Sequence, residues 1–374
     1  MAVFSHIEKE WHWRGWIICE SLISGNSMNL EKLNEILADQ PAYRAKQARE
    51  AVFGLLIEDW EQARGLPKEL RQELAADCPL DIGAEIFISR NGDSAKALIT
   101  LADGLKIETV LMRHSGRQEA GAVRNTVCVS SQVGCPMGCV FCATGKMGFK
   151  RNLTAMEIIE QVLLFARLLK KENQRVASVV FMGMGEPFMN YDNVMAAVKV
   201  INDPKGLNIG GRHISISTCG VVEGIEKIID EPLQVNLAIS LHAPDDVLRS
   251  KIMPANIKYP LDEIMTAVLR YVRNTNRRVM FEYIMIDGVN DSDQCADELA
   301  ALIKGRLSLK LAFVNLIRYN PTGKFMPSTP ERVKAFKTIL MQAGVETTER
   351  YRFGQGIKAA CGQLIVDELG VDER

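Results

Sequence analysis

Cys135-Pro136-Met137-Gly138-Cys139-Val140-Phe141-Cys142 sets three thiols within eight residues. Structural zinc sites and most iron-sulfur sites use four protein ligands, so three close cysteines with no histidine nearby describe a metal site with one position left open. Two plainer readings stand beside this one: a zinc site completed by a distant cysteine, and reduced cysteines with no metal. What surrounds the stretch gives it a place in a fold. A β-rich run at 126–130 precedes it and an amphipathic helical pattern at 154–170 follows, opened by the capping box Thr154-x-x-Glu157.

Downstream the same alternation repeats. Further strand patterns fall at 178–181, 213–218, 236–241, 279–286 and 311–317, with helical patterns at 190–200, 222–230, 261–275, 293–304 and 331–343. Six βα units imply a parallel sheet with right-handed crossovers, curling into a partial (β/α)6 barrel of the α/β class. The cysteine stretch then lies in the loop after the first barrel strand, where such barrels carry active sites.

Upstream, apolar residues recur at helical spacing over 30–76, and strand patterns follow at 84–88, 95–101 and 106–112, with Asn91-Gly92 as a hairpin turn. The expected divisions are an N-terminal extension at 1–27, a small helical accessory domain with a short β segment at 28–112, and a polar linker at 113–125. The barrel follows at 126–352, and a C-terminal segment at 353–374. Trp11, Trp13 and Trp16 crowd the extension, and Met28 is a second candidate start; the acidic end, 367–374, is expected to fray.

A chain of 374 residues with 47% hydrophobic and 24% charged content has enough apolar material for one large core and a smaller one. No run approaches the length of a membrane helix and no signal peptide opens the chain, so the expected place is the cytoplasm. Nine cysteines without framework spacing fit a reducing compartment and metal or redox chemistry. A net charge of −1 gives no bulk sign of nucleic-acid binding. The segment 111–160 nevertheless carries six basic residues (Arg113, Arg117, Arg124, Lys146, Lys150, Arg151) against three acidic ones, a local surplus suited to phosphate. Arg273, Arg277, Arg278, Arg318, Arg350, Arg352 and Lys358 extend it.

Polar groups recur at strand ends. The second barrel strand runs into Phe181-Met182-Gly183-Met184-Gly185-Glu186-Pro187, where Gly185 allows close backbone approach and Glu186 offers a carboxylate to an ammonium group. Ser217, then Ser240, Leu241 and His242, and finally Asn320 follow at later strand ends. Each alone reads as structural, and the barrel register makes them candidate ligand contacts.

The spacing C-x-x-x-C-x-x-C at Cys135, Cys139 and Cys142 resembles the radical-SAM superfamily over roughly residues 125–350. The resemblance implies a 4Fe-4S cluster on these three cysteines, with the open iron chelating S-adenosylmethionine (SAM) and with Gly185, Glu186, Ser217, Ser240, Leu241, His242 and Asn320 as SAM contacts. Longer strings, Cys128 to Cys135, Phe181 to Pro187, Ser240 to Pro244 and Ala359-Ala360-Cys361-Gly362-Gln363-Leu364, resemble the RlmN/Cfr adenosine methyltransferases. That likeness implies two SAM molecules per turnover and a methyl carried on Cys361. It also implies an RNA–protein crosslink, the base Glu108, and Cys128 as the thiolate that resolves the crosslink through a disulfide. It implies further that the N-terminal helices bind RNA, that the substrate is an adenine of 23S rRNA and also tRNA, that a flavodoxin- or ferredoxin-type protein donates electrons, and that the enzyme works as a monomer. Pro187 resembles the branch that methylates carbon 2, whereas Leu316 to Pro321 is closer to the branch that methylates carbon 8; carbon 2 is the expectation. The rivals are a zinc-stabilised, non-catalytic RNA-binding protein, and a radical-SAM enzyme acting on a protein or small molecule, which leaves Cys128 and Cys361 unexplained.

Overall fold

The computed structural model describes residues 17–19, 28, 30–114 and 124–364. Trp11, Trp13, Trp16, Arg117 and the acidic end lie outside the described residues.

Strand β1 (Ile17–Cys19) is followed by helices α1 (Leu30–Ala38), α2 (Ala42–Arg49) and α3 (Lys68–Asp77). The helices close around Leu33, Trp60 and Leu74, each at most 1% exposed. Burying the Trp60 indole requires a partner for its N–H. It donates to the Cys78 carbonyl at 2.6 Å. Next come β2 (Ala84–Ile88), β3 (Ser94–Thr100) and β4 (Lys106–His114), an antiparallel meander turned through Gly92 at φ +69°.

The repeating part begins at β5 (Arg124–Cys128) and continues, around a small hairpin β6 (Gln132–Gly134) and β7 (Phe149–Asn152), through β8 (Val176–Phe181), β9 (Ile214–Thr218), β10 (Asn236–Ser240), β11 (Val279–Met285), β12 (Ala312–Arg318) and β13 (Glu346–Glu349). Between them run α4 (Ala143–Met147), α5 (Ala155–Lys171), α6 (Tyr191–Asn202), α7 (Val222–Lys227), α8 (Asp246–Ile252), α9 (Leu261–Thr275), α10 (Asp293–Arg306) and α11 (Pro330–Gln342). Strands β5, β8, β9, β10, β11, β12 and β13 pair in parallel, in that order. The expected capping box is present, with Thr154 Oγ1 accepting from the Glu157 amide at 3.2 Å and the Glu157 carboxylate accepting from the Thr154 amide at 2.8 Å.

Three features depart from the sequence reading. The 113–125 stretch is not all linker: Arg113 and His114 pair with Asn125 and Arg124, so the accessory strands continue the barrel sheet antiparallel to β5, giving eleven strands among the described residues. Strand β13 was not anticipated, because Glu346-Thr347-Thr348-Glu349 is polar and charged; its parallel pairing with β12 sets its conformation. The hairpin β6–β7 was missed for the same reason, being short and containing Gly134, Lys150 and Arg151.

Candidate active site

The C-terminal ends of the parallel strands open on one cavity of about 190 Å³. Cys135, Cys139 and Cys142 line it together with Cys128, Cys361, Gly185, Glu186, Ser217, Ser240, His242 and Asn320. Of the residues expected at the site, only Glu108 and Leu241 are absent from this lining. Leu241 is fully buried, its amide donating to the Glu282 carbonyl at 3.0 Å and its carbonyl accepting from Arg249 Nε at 3.0 Å. Glu108 is 3% exposed and ion-paired with Lys96 at 2.6 Å.

The cysteine loop is held in shape by backbone contacts. The Cys135 amide donates to the Gly148 carbonyl at 3.0 Å and the Cys142 amide to the Cys139 carbonyl at 3.1 Å. Gly134, at φ +74°, lies so close to the opposite strand of the hairpin that a Cβ there would sit 1.8 Å from the Gly148 oxygen. Burial pushes the Cys135 thiol up to about 12, and burial followed by the neighbouring Cys142 and Cys135 raises Cys139 well above the ordinary thiol range. Thiolates here need a cation. Among the described residues no three such groups converge as they would on a single ion. The three thiols line one cavity, and Cys139 interacts electrostatically with both others, a donor set that would hold an iron–sulfur cluster.

The strand-end polar groups do more scaffolding than the sequence reading gave them. Glu186 accepts from the Phe188 amide at 3.0 Å and from the Cys219 amide at 2.7 Å, tying the β8 and β9 ends together. Burial pushes its carboxyl above the ordinary carboxylate range, and these amide contacts oppose the rise. Gly185, at φ +99°, is required by Gln132, whose Cβ would stand 2.6 Å from a Cβ at 185. Ser217 and Ser240 face each other across β9 and β10 at 3.3 Å. His242, in the left-handed region at φ +61°, accepts the Ile284 amide on Nδ1 at 3.1 Å. Burial first, then the Arg249 charge, lowers its imidazolium to about 3, so the ring is neutral with its proton on Nε2.

Cys128 ends β5 and Cys361 enters from the other side of the cavity. The second is anchored by its backbone: Asn320 Nδ2 donates to the Cys361 carbonyl at 3.1 Å, the Ala143 amide to the Gly362 carbonyl at 2.8 Å and Thr144 Oγ1 to the Leu364 carbonyl at 2.5 Å. Both are free thiols. Burial, and then the charge of Cys361, pushes Cys128 up to about 12, while Arg350 acts in the opposite direction. Cys128, Cys361, Arg350 and Glu282 line the same cavity, and Arg350 stands 3.6 Å from Glu282.

Sequence reasoning missed Arg249 and Glu282. Arg249 is fully buried and donates to the carbonyls of Leu241, Tyr259, Cys219 and Ser240 and to Asn256 Oδ1, fastening the β9 and β10 ends. Its only signal was its place one turn into the helix after the Ser240–Pro244 string. Glu282 is 2% exposed and accepts from Asn315 Nδ2 at 3.0 and 3.2 Å; an acidic residue inside an apolar strand was the cue. The expected basic surplus is partly spent on structure. Arg113 pairs with Glu172, and Arg151 with Glu157 at 2.8 Å and Asp103 at 2.6 Å.

Residues 129–299 match the Radical SAM superfamily. The chain is 43% identical over 346 residues to ribosomal RNA large subunit methyltransferase N of Nitrosopumilus maritimus, covering 91% of this chain and 97% of that protein. The chain belongs to the RlmN family of radical-SAM methyltransferases. A probable dual-specificity RNA methyltransferase RlmN of Symbiobacterium thermophilum is 45% identical, with 90% of each chain covered. Among solved structures, a radical SAM methyltransferase from Sphaerobacter thermophilus superposes with a TM-score of 0.84 at 44% identity, over 90% of this chain and 98% of that one. Membership in the RlmN family implies a 4Fe-4S cluster and SAM, which the thiol set and the cavity suit. No helix among the described residues is long and apolar enough to cross a membrane.

Proposed function

We propose that this chain methylates carbon 2 of an adenine in 23S rRNA, and of tRNA, by a radical route that uses two SAM molecules per turnover. The observation that carries the reading is that Cys128 and Cys361, free thiols near enough that Cys361 raises Cys128, line the cavity that also holds the three cluster cysteines, with Cys219 as a further thiol in the lining beside Glu186. A radical-SAM enzyme acting on a protein or small molecule leaves Cys128 and Cys361 unexplained.

Cys135, Cys139 and Cys142 hold the cluster, which supplies the electron that cleaves SAM. Gly185, Glu186, Ser217, Ser240, Leu241, His242 and Asn320 shape the SAM pocket, by side chain or by backbone. The Cys361 thiolate takes a methyl group from the first SAM, leaving S-adenosylhomocysteine and S-methylcysteine. The radical made from the second SAM removes a hydrogen atom from that methyl, and the methylene radical adds to the adenine. This adduct gives up one electron to the redox chain and its ring proton to Glu108. The ion pair with Lys96 requires Glu108 as the carboxylate, the form in which it accepts a proton. The Cys128 thiolate then attacks the Cys361 sulfur, forming a disulfide; the released carbon takes a proton, and methyladenosine leaves. An external reductant restores both thiols. A flavodoxin- or ferredoxin-type donor, a monomeric cytoplasmic enzyme, and RNA binding by the helices of the 28–112 unit complete the reading.

Anaerobic turnover on an rRNA fragment, followed by mass spectrometry of the nucleosides against 2-methyl and 8-methyl standards, tests it. 2-Methyladenosine is expected, and Cys361→Ala should abolish it. Cys128→Ala should trap RNA joined to protein. 8-Methyladenosine would move the product to the other carbon, the outcome favoured by the Leu316–Pro321 string. A colourless zinc protein would overturn the enzymatic reading.

A further inference from the structure

Three aromatic rings stand in a row, two of which, Tyr351 and Phe353, line the cavity. Tyr351 meets Phe353 edge to face at 4.7 Å, and Phe353 meets His114 edge to face at 4.6 Å. Phe353 is 7% exposed, yet Tyr351 is 67% exposed while lining the cavity. An edge-to-face contact covers at most one face of a ring, so the other face of Tyr351 is open. Apolar burial does not explain a large aromatic ring left in water at the entrance to an active site.

The surrounding charge is positive. Arg318 and Arg352 line the same cavity, close enough that Arg318 adds to the effect of burial in lowering the Arg352 guanidinium. Arg352 is aimed by Asn320, whose Oδ1 accepts from its Nη2 at 3.0 Å. Arg318 Nε is buried with no hydrogen-bond partner. The unanswered Arg318 donor, beside a second guanidinium that adds positive charge, favours an anion here. An open aromatic face beside an anion site has the chemistry of one nucleotide: a base to stack and a phosphate to bind.

We propose that Tyr351, Arg318 and Arg352 form a landing platform for an unpaired RNA nucleotide beside the target adenine, with its base on the open face of Tyr351 and its phosphate on the guanidiniums. The inference rests on the RNA-methyltransferase reading and adds where the strand is gripped. Drawing the adenine out of its stack costs unstacking energy, and a neighbouring base that regains a stacking partner offsets part of it.

The test uses anaerobically prepared holoenzyme and a fluorescein-labelled RNA stem-loop with unpaired adenines, read by anisotropy, with SAM affinity measured in parallel by equilibrium dialysis. Tyr351→Ala and Tyr351→Leu should each weaken RNA binding on the order of tenfold, whereas Tyr351→Trp retains it. Arg318→Gln should weaken binding and reduce the salt dependence by about one ion. SAM affinity should stay at the wild-type value in all four variants. Wild-type RNA affinity in Tyr351→Ala overturns the platform, as does a loss of SAM affinity with RNA binding intact, which would assign the ring and the guanidinium to SAM. Failure of the wild-type enzyme to bind the stem-loop is a different result, and overturns the RNA reading itself.

Discussion

The imidazole of His242 is neutral because the interior around it will not accept a charge, and this makes it a pH-dependent part of the fold. Its folded value, about 3, lies below the ordinary 6.5. The unfolded chain therefore binds the extra proton first as pH falls, and the stability that His242 contributes, complete above about 6.5, is lost progressively toward 3. Urea unfolding of the apo protein should show stability falling by up to ~1.4 kcal/mol per pH unit from this group, with a flatter profile in His242→Gln. The Arg350–Glu282 pair makes a second residue-scale prediction. Arg350→Met leaves the 2%-exposed Glu282 without its cation, a loss expected to cost about 3–5 kcal/mol, and Glu282→Gln added to it should recover part. The same substitution removes a charge that favours the Cys128 thiolate, so alkylation of Cys128, already slow at neutral pH with a thiol near 12, should slow further.

Elements were legible where hydrophobic period and capping chemistry agreed. Helix α5 combines a long apolar face with its capping box, and Thr154→Ala should cost about 1 kcal/mol of unfolding free energy in urea titration. The cysteine loop was legible from spacing alone. Its frame was not, because β6 and β7 have no apolar alternation and β13 is Glu346-Thr347-Thr348-Glu349; their geometry comes from pairing partners distant in sequence. Likewise Glu186 could be named from its motif, but not its grip on the Cys219 amide, and nothing local announced the Lys96–Glu108 pair, which joins diagonal positions on two strands. Gly134 tests the frame. With a Cβ placed 1.8 Å from the Gly148 oxygen, Gly134→Ala should force the β6–β7 hairpin apart and lower the iron bound per chain after reconstitution, read by metal analysis of the purified protein.

At the scale of the whole molecule, the sheet changes character at β5, which has antiparallel β4 on one side and parallel β8 on the other. Alternating βα units made the parallel half readable from sequence, whereas the accessory strands looked like a separate unit because a polar stretch follows them. Cys128 lies on the seam, opposite Val110 on β4 and Val180 on β8. This has a consequence for solubility. Without 84–114, β5 would become a bare edge whose amide and carbonyl groups are free to recruit a strand from another molecule, with Val127 and Cys128 laid open along it. Such a truncated chain should scatter light within minutes of refolding at micromolar concentration and form intermolecular disulfides through Cys128 in air, while the intact chain stays clear. The antiparallel meander thus acts as a guard against self-association for the strand that carries the thiol.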